Sequence, residues 1–345
     1  MRGMMLTAGL GTRLRPITEK FAKPAVPFLG VPLLKYPLWL MRAAGVNELV
    51  LNSHWKAEQI KSLADEISAP DLRVHVSHED GAPLGSGGGI WKARAWLDQR
   101  ATGDQDSFFV ANGDEVILPH DTSILAKFKK AHSESGALAT ILVMKHPLVG
   151  TQFGGVWASA DGDVRGFGKV GADFGDDAVG YHYIGLLLLH PRVFDYMPEG
   201  ESNILYDVLK SAIAASEKVR VVVSDFTWFE TGNPHDFLRA TDEALHLLDN
   251  ASRIGNFASS VLKDAGLRRA AQALRDITAT YWTPGTALEK QDGALILRAP
   301  GSSLSGSVKG FAVLEKGAQV TSAVEKIVAM PGASISAPRT NEICL

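Results

Sequence analysis

Residues 6–27 read LTAGLGTRLRPITEKFAKPAVP and begin at the end of a short apolar run, residues 3–6, that is long enough for one buried strand. Two glycines in this segment, Gly9 and Gly11, precede four basic side chains: Arg13, Arg15, Lys20 and Lys23. Glycine at a strand exit lets backbone N–H groups approach a bulky anion, because no Cβ stands in the way. Arginine presents a planar fork to phosphate oxygens, and lysine presents a mobile charge. The segment therefore predicts a binding loop for a triphosphate.

Two common phosphate-binding patterns are absent from this loop. The dinucleotide fingerprint G-x-G-x-x-G fails because its third glycine position is Leu14, and no P-loop sequence is present. Residues 8–18, AGLGTRLRPIT, followed by Lys23-Pro24, instead resemble the signature A-G-x-G-T-R-L-x-P-x-T…K-P of the sugar-1-phosphate nucleotidylyltransferases, or NDP-sugar pyrophosphorylases. The resemblance covers about residues 3–245. It implies an enzyme of the EC 2.7.7 type, which uses a nucleoside triphosphate and a sugar 1-phosphate to make an NDP-sugar, a precursor of cell-envelope polysaccharides.

Composition excludes several other classes of protein. The chain has 345 residues, a formal charge of −3 and a hydrophobic fraction of 46%, which predicts about two domains with a sizeable core. A mildly acidic chain is not expected to bind nucleic acid. A single cysteine, Cys344, provides neither a disulfide framework nor a zinc site. Apolar runs far shorter than a membrane span and the absence of a secretory signal pattern predict a cytoplasmic enzyme without a membrane partner.

Hydrophobic periodicity after the loop alternates between strand and helix. Strands are expected at residues 48–52, 72–77, 107–111, 137–145 and 218–224, and helices at residues 32–44, 57–67, 90–97 and 124–131. This order indicates βαβ units. The expected fold class is α/β, with a Rossmann-like mixed, mainly parallel sheet and helices on both faces.

Three domains are expected along the chain. Residues 1–245 form the nucleotidyltransferase catalytic domain, residues 246–280 a helical connector and residues 281–345 a β-helix-like C-terminal domain. The last assignment rests on an echo between KGAQV at 316–320 and PGASI at 331–335, which resembles a short left-handed β-helix. A homo-oligomer formed through this region is also expected.

The resemblance implies roles for residues of the loop and of a second glycine run. Arg13 and Lys23 are the predicted catalytic residues. The predicted nucleotide contacts are Ala8, Gly9, Gly11, Thr12, Gly85 and Ser86. The last two lie in EDGAPLGSGGG at 79–89, which in the family reads the base through main-chain and hydroxyl contacts. A flexible loop is the alternative interpretation of that run.

Two carboxylates are the predicted ligands of Mg²⁺. Asp114 follows a strand in the sequence Asn112-Gly113-Asp114, and ligands bind at the carboxyl ends of parallel strands. Oxygen ligands suit Mg²⁺, which also takes substrate phosphates into its octahedron. In the family pattern W-x-D-x-G-T-P the aspartate is the second ligand, and here Glu230 takes its place. Glu115 is interpreted as a solvated neighbour.

The sugar-phosphate site is expected in the glycine-rich half of the catalytic domain. The resemblance assigns Gly154, Lys169 and Tyr183 to it. Gly168 stands where the family commonly has a glutamate that accepts a sugar hydroxyl, so that acceptor is missing. His182 is interpreted as a hydrogen-bonded structural histidine.

The base and the sugar stay open. The β-helix-like tail favours a mannose-1-phosphate guanylyltransferase. Residues 51–55 (LNSHW) and 83–89 (PLGSGGG) instead resemble N-acetylmuramate-1-phosphate uridylyltransferases. A non-catalytic regulatory paralogue that binds sugar nucleotides is a third hypothesis, motivated by Gly168 and Glu230. An acyltransferase built on the tail is a fourth, although no histidine follows His246.

Overall fold

A computed structural model describes residues 1–100, 106–169, 174–253 and 264–345 of the chain. Its contacts divide these residues into two compact units. The first unit comprises Met1–Leu10, Pro37–Gly113 and Asp121–Phe226, and the second comprises Gly11–Tyr36, Asp114–His120 and Thr227–Leu345. The units follow a different partition from the three domains expected above, which stay a prediction.

The strands, numbered in chain order, are β1 (Arg2–Leu6), β2 (Pro27–Phe28), β3 (Val31–Pro32), β4 (Glu48–Ser53), β5 (Arg73–His78), β6 (Phe108–Asn112), β7 (Val116–Pro119), β8 (Ala139–Met144), β9 (Gly155–Ala158), β10 (Val164–Gly168), β11 (Val179–Leu189), β12 (Val219–Val223), β13 (Phe226–Phe229), β14 (Ala287–Gln291), β15 (Ala294–Arg298), β16 (Ser303–Leu304), β17 (Val308–Leu314), β18 (Gln319–Val320), β19 (Val324–Ala329), β20 (Ser334–Ile335) and β21 (Arg339–Cys344).

The α-helices are α1 (Ile17–Lys20), α2 (Lys35–Ala43), α3 (Ala57–Ile67), α4 (Gly85–Lys92), α5 (Arg94–Leu97), α6 (Ile124–Ser135), α7 (Lys210–Ala214), α8 (Pro234–Arg253) and α9 (Ala265–Tyr281). Short 3₁₀ segments occur at Thr12–Leu14, Lys23–Ala25 and Pro191–Tyr196, and a π-helical turn at Ile204–Leu209.

The first unit is built on a nine-stranded mixed sheet. Strands β5, β4, β1 and β6 are neighbours in that order and all run parallel. Strand β11 is antiparallel to β6, β8 and β9, and β12 runs parallel to β8. The central strands consist of apolar residues on both faces, as is usual for parallel strands that are covered on both sides. The expected α/β fold with its mixed sheet is confirmed.

The amphipathic pattern predicted for residues 57–67 is also confirmed. Helix α3 spans these residues and buries the apolar side chains that recur at helical spacing, which are Ile60, Leu63, Ala64 and Ile67. The remaining positions of the helix carry most of its polar and charged side chains. Burial of the apolar stripe supplies most of the stability of such a helix, because short isolated helices are marginal in water.

The second unit contains a β-helix-like region. Strands β15, β17, β19 and β21 pair in parallel, and β14 closes one edge in antiparallel orientation. Strands β16, β18 and β20 form a second parallel sheet. Side chains from both sheets, including Leu314, Val320 and Ile335, share one apolar core. The expected β-helix-like tail is therefore confirmed.

The sequence repeat of this region is longer than the two copies recognised above. A third copy, PGSSL at 300–304, precedes KGAQV and PGASI, and its leucine lies in β16. The glycines of the three copies, Gly301, Gly317 and Gly332, have φ values of 76°, 74° and 76°. In a stack of three copies the middle copy has a neighbour on each side, which a stack of two copies cannot provide.

Two expected elements differ in the structure. The helix expected at 90–97 is in fact two helices, and the first of them, α4, begins inside the glycine run at Gly85. The helical pattern expected from 235 to about 280 forms α8 and α9, with residues 254–263 outside the described residues. Glycine has a low helix propensity, so the helix that begins inside the glycine run must be stabilised by tertiary packing.

Candidate active site

The carboxyl ends of β1 and β4 are held together by a buried hydrogen-bond network. The Thr7 amide donates to Asn52 Oδ1 at 2.7 Å, and Asn52 Nδ2 donates to Glu79 Oε1 at 2.6 Å. Glu79 Oε2 accepts from the Leu84 amide at 2.9 Å. The network thus ties the start of the phosphate-binding loop to the start of the second glycine run. Sequence reasoning missed Asn52 and Glu79 as positioning residues, although both end or follow a strand, as Asp114 does.

Gly9 and Gly11 are glycines for different reasons. A Cβ built on Gly9 meets nothing within 4 Å, and the residue is exposed. Gly11 has a φ of 62°, and a Cβ there would lie 2.7 Å from Thr18 Cγ2. The Thr18 hydroxyl donates to the Gly11 carbonyl at 2.8 Å. Gly11 is therefore required by the folded loop itself, whereas the space beside Gly9 is open to a ligand.

Lys23 and Asp114 form an ion pair in the second unit. Lys23 Nζ lies 2.5 Å from Asp114 Oδ2, and the side chains are 14% and 28% exposed. Burial by itself lowers the pKa of Lys23, but Asp114, with smaller contributions from Glu115 and Glu230, outweighs it and raises the pKa above its ordinary value. Lys23 therefore keeps its charge. The pair joins residues that are 91 positions apart in the sequence.

Glu230 and Arg13 lie near the same turn of the chain. The Gly232 amide donates to Glu230 Oε1 at 2.5 Å. A Cβ built on Gly232 would lie 3.6 Å from the Arg13 Cζ. The Thr231 hydroxyl donates to the Asp114 carbonyl at 3.3 Å and connects this turn to the metal-ligand candidate. Four predicted site residues, Arg13, Lys23, Asp114 and Glu230, are thus linked within the second unit.

Two carboxylates are a sufficient protein contribution for Mg²⁺, which binds through one or two of them together with substrate phosphates. Asp114 and Glu230 offer carboxylate oxygens, and the Thr231 hydroxyl, next to Glu230 in the chain, donates to the Asp114 carbonyl, so the donor set fits a hard divalent cation. Among the described residues, no group of three or more His, Cys, Asp or Glu side chains could hold a metal. The ligand assignments of Asp114 and Glu230 stay predictions.

Glu115 has a partner of its own. Its Oε2 accepts from the indole Nε1 of Trp228 at 3.0 Å. The side chain is half-buried, so it is less solvated than the sequence suggested. The bond holds strand β7 to β13, which ends at the residue before Glu230.

The second glycine run is a helix packed against the segment around Ser202. Ser86 Oγ accepts from the Ile204 amide at 2.9 Å, and the Gly87 amide donates to the Ser202 carbonyl at 2.8 Å. A Cβ on Gly88 would overlap the carbonyl oxygen of Gly200. Gly87–Gly89 are accordingly buried, while Gly85 is exposed and Ser86 is half-buried. The alternative of a flexible loop is wrong, because these glycines allow close backbone packing.

The predicted sugar-site residues lie in or beside the strands of the first unit. A Cβ on Gly154 would lie 2.6 Å from the hydroxyl of Tyr206, a tyrosine that is 45% exposed. Tyr183 lies in β11 opposite Val143 and packs partly against the main core. Lys169 is exposed at the end of β10. No sequence motif pointed to this proximity of Tyr206 to Gly154.

His182 belongs to a cluster of rings. Its ring centroid lies 5.1 Å from that of Phe153 and 5.6 Å from that of His146. Burial, with a smaller contribution from His146, lowers the pKa of His182 to about 4. The ring is therefore neutral at pH 7, which agrees with a structural rather than a charged role.

The sequence profile of a family described as Nucleotidyl transferase matches residues 2–246. The chain belongs to the nucleotidyl transferase family. This confirms the resemblance drawn from the loop. The match covers the phosphate-binding loop, both candidate metal ligands and every residue predicted for the base and the sugar.

Relatives of this nucleotidyl transferase act on different bases. A UTP–glucose-1-phosphate uridylyltransferase of Synechocystis sp. is 30% identical over 253 residues, which are 70% of this chain and 62% of the relative. Probable mannose-1-phosphate guanylyltransferase 3 of Oryza sativa subsp. japonica is 31% identical over 239 residues, 69% of this chain and 63% of the relative. The matched region thus spans less than two thirds of either relative's length.

Solved structures of other members confirm the nucleotidyl transferase fold. A UDP-glucose pyrophosphorylase from Acinetobacter baumanii matches with a TM-score of 0.60 and 19% identity, covering 74% of this chain and 95% of that chain. The inositol-1-phosphate CTP transferase from T. maritima matches with a TM-score of 0.57 and 18% identity, covering 82% and 98%. In the described part of the chain, no helix has the length and apolar character that a membrane span needs.

Proposed function

We propose that this chain transfers a nucleotidyl group from a nucleoside triphosphate to a sugar 1-phosphate and releases pyrophosphate. The observation that carries the proposal is the partly buried Lys23–Asp114 ion pair, in which Lys23 follows the glycine loop of the family signature and Glu230 contributes to its raised pKa. A lysine and two carboxylates at one place can neutralise phosphate oxygens and hold a divalent cation. The family match supports the same reaction class.

The reaction needs positioning and charge neutralisation, since the sugar phosphate is already an anionic nucleophile. One of its oxygens attacks the α-phosphorus, the bond to the bridging oxygen breaks, and pyrophosphate leaves with that electron pair. Arg13 and the backbone of residues 9–12 hold the departing β- and γ-phosphates. Lys23 neutralises charge at the α-phosphate. No general base is required.

The proposed cofactor is Mg²⁺, held by Asp114 and Glu230. When bound, it supplies positive charge to the reacting phosphate oxygens. The Lys23–Asp114 pair compensates both charges when no substrate is bound. With the substrate and the cation present, Asp114 would hold the cation and Lys23 would contact a phosphate oxygen.

Base and sugar recognition is assigned to the first unit. Gly85 and Ser86 are proposed for the base, and the packing of α4 supports this because it fixes the helix start rigidly. Gly154, Lys169 and Tyr183 are proposed for the sugar phosphate. Gly168, whose carbonyl accepts from the Trp157 indole at 3.0 Å, provides no side-chain acceptor for a sugar hydroxyl.

The preferred substrates are GTP and mannose 1-phosphate. The β-helix-like tail and the guanylyltransferase relatives support them. UTP with glucose 1-phosphate or N-acetylmuramate 1-phosphate is the alternative, supported by the uridylyltransferase relative and by residues 83–89.

Pyrophosphate release, measured for each triphosphate paired with each sugar 1-phosphate, tests the function. We expect turnover with one pair and much less with the others. Absence of release with every pair, together with a rise in melting temperature on adding an NDP-sugar, would favour the non-catalytic paralogue. We also propose a cytoplasmic location. We further propose a homo-oligomer formed through the C-terminal region, and light scattering tests its size.

The ligand assignment is tested by Asp114→Ala, Glu230→Ala and the double variant. Both single losses should abolish activity at low Mg²⁺ and be strongly non-additive, because both groups serve one ion. Mn²⁺ binding followed by electron paramagnetic resonance gives a readout independent of turnover. Glu230→Asp should weaken binding if the backbone suits the longer side chain. Normal Mg²⁺ dependence in Glu230→Ala would remove Glu230 from the site.

A further inference from the structure

The β2–β3 hairpin follows Lys23 closely and has an unusual turn. Its two central residues, Leu29 and Gly30, have φ values of 50° and 76°. Positive φ at both positions is the requirement of a type I′ hairpin turn, and leucine rarely adopts it. Leu29 is also fully buried. Contacts from elsewhere must therefore hold this turn.

Two residues from the C-terminal part of the chain supply those contacts. The Trp282 indole Nε1 donates to the Leu29 carbonyl at 2.7 Å. Glu315 Oε1 accepts from the Gly30 amide at 3.0 Å. Both polar groups of the Leu29–Gly30 peptide bond are thereby bound by side chains more than 250 residues away, at separations of 253 and 285 positions. The Tyr36 hydroxyl completes the set by donating to the Phe28 carbonyl at 2.8 Å.

Glu315 carries a carboxyl group that is unfavourable to bury if its role is only to fill space. Its side chain is buried, and burial raises its pKa to about 7, although the Gly30 hydrogen bond lowers it. An apolar residue would fill this space without the desolvation of a carboxyl group. What the carboxyl adds is the hydrogen bond to the hairpin turn.

Backbone hydrogen bonds connect the hairpin to the segment that carries Lys23. The Val26 amide donates to the Lys23 carbonyl at 3.1 Å, and the Leu34 amide donates to the Pro24 carbonyl at 3.0 Å. The Leu33 amide donates to the Val26 carbonyl at 3.0 Å. No flexible linker separates the hairpin from the lysine.

The same hairpin supports Glu230. The Phe28 ring is completely buried, with its centroid 6.0 Å from Phe229 and 5.4 Å from Phe237. Phe229 is the residue directly before Glu230, and Phe237 lies in the first turns of α8 that follow it. A shift of the hairpin would therefore displace both Lys23 and Glu230.

We propose that Glu315 and Trp282 are positioning residues for the phosphate and metal site, and that the C-terminal region acts through the hairpin on Lys23 and Glu230. This inference rests on the proposed function of those two residues. A displacement of about 1 Å at a reacting group costs up to about 100-fold in rate. The β-helix-like region then contributes to catalysis by positioning Lys23 and Glu230.

The test compares Glu315→Ala, Glu315→Gln and Trp282→Phe with Ile327→Val. The control lies in the core of the β-helix-like region, in a cluster that contains no hairpin residue. All four are assayed below their melting temperatures for kcat, for KM of the triphosphate and, by calorimetry, for triphosphate binding. We expect Glu315→Ala to lose about 10- to 100-fold in kcat. Glu315→Gln should stay near wild type, because its amide oxygen accepts the same hydrogen bond.

Trp282→Phe removes the indole donor and keeps a smaller aromatic ring, so we expect a loss of about 3- to 10-fold. It also provides the test if Glu315→Ala does not fold. The inference would be overturned if Glu315→Ala and Trp282→Phe both kept wild-type kcat, KM and triphosphate binding. It would also be overturned if Ile327→Val lost as much kcat as they do. If the wild type releases no pyrophosphate with any substrate pair, the proposed function fails instead. Triphosphate binding then still reports whether Glu315 and Trp282 position Lys23.

Discussion

The two glycine-rich segments of the first 100 residues use the missing Cβ in opposite ways. At Gly9 the space that a side chain would occupy is empty, and the residue is exposed. At Gly88 the same space is taken by the carbonyl of Gly200, and the residue is buried. The segments look alike in the sequence, yet the space at Gly9 is open to a ligand and the space at Gly88 is filled by the protein. A missing Cβ can therefore serve either ligand access or backbone packing, and only the fold distinguishes the two.

The carboxylates of the second unit show the same contrast. The side chain of Asp114 is 28% exposed and pairs with Lys23, whose side chain is 14% exposed. Glu315 is 4% exposed and is bound to the Gly30 amide. The partly exposed carboxylate is thus paired with a cation, whereas the buried carboxyl group holds a backbone amide.

The largest effect is expected at the proposed phosphate and metal site. Lys23→Ala should lower turnover by more than ~100-fold, the typical loss when one preorganised charged or hydrogen-bonding group is removed. The unfolding midpoint in urea should change little by comparison. Lys61→Ala, which removes an exposed lysine of α3, is the matched control and should keep near wild-type turnover. An unchanged rate in Lys23→Ala with saturating substrates would contradict the assignment.

The next effect concerns the buried carboxyl group. The folded protein raises the pKa of Glu315 from 4.5 to about 7, so it binds the proton more tightly than the unfolded chain does. Its contribution to stability is therefore fully present below the unfolded pKa and falls as pH rises through the folded pKa. The difference corresponds to about 3 kcal/mol.

Urea unfolding of wild type and Glu315→Gln at about pH 4 and about pH 8 measures this difference. The wild type should lose stability relative to the variant as pH rises, because glutamine does not titrate. A constant difference between the two proteins would show that Glu315 titrates normally and is not buried as described.

A smaller loss of stability is expected from the filled glycine. Gly88→Ala places a methyl group against the Gly200 carbonyl, and overpacking of this kind costs about 1–3 kcal/mol. Urea unfolding measures the loss. Near wild-type stability would mean that α4 and residue 200 separate easily, and the contrast between the two glycine segments would weaken.

The smallest effect is expected from the open glycine. Gly9→Ala should leave stability within about 0.5 kcal/mol, since nothing lies within 4 Å of the added Cβ. Loss of one amide–phosphate hydrogen bond nevertheless predicts about a 10-fold rise in KM for the triphosphate. A variant with unchanged KM would show that the space beside Gly9 is not used by the phosphates.

The fold class follows from local patterns, and so do most of the elements. Periodicity was sufficient for α3 and for the parallel strands because each buries one continuous apolar set. It failed at the second glycine run, where a helix forms against propensity because the segment around Ser202 packs on it. It also missed PGSSL at 300–304, since Ser302 stands where the other two copies have an alanine after the glycine.

By itself, the sequence determined the family, and it predicted the phosphate-binding loop and the residue types of the candidate site. Spacing within one short window carries that information, because glycines and basic side chains near each other in the chain stay near each other in the fold. Only the tertiary structure decided that Lys23 meets Asp114, that Glu79 binds Asn52 and that Glu315 holds Gly30. These contacts join distant segments, and their geometry depends on strand pairing and packing that no local pattern specifies.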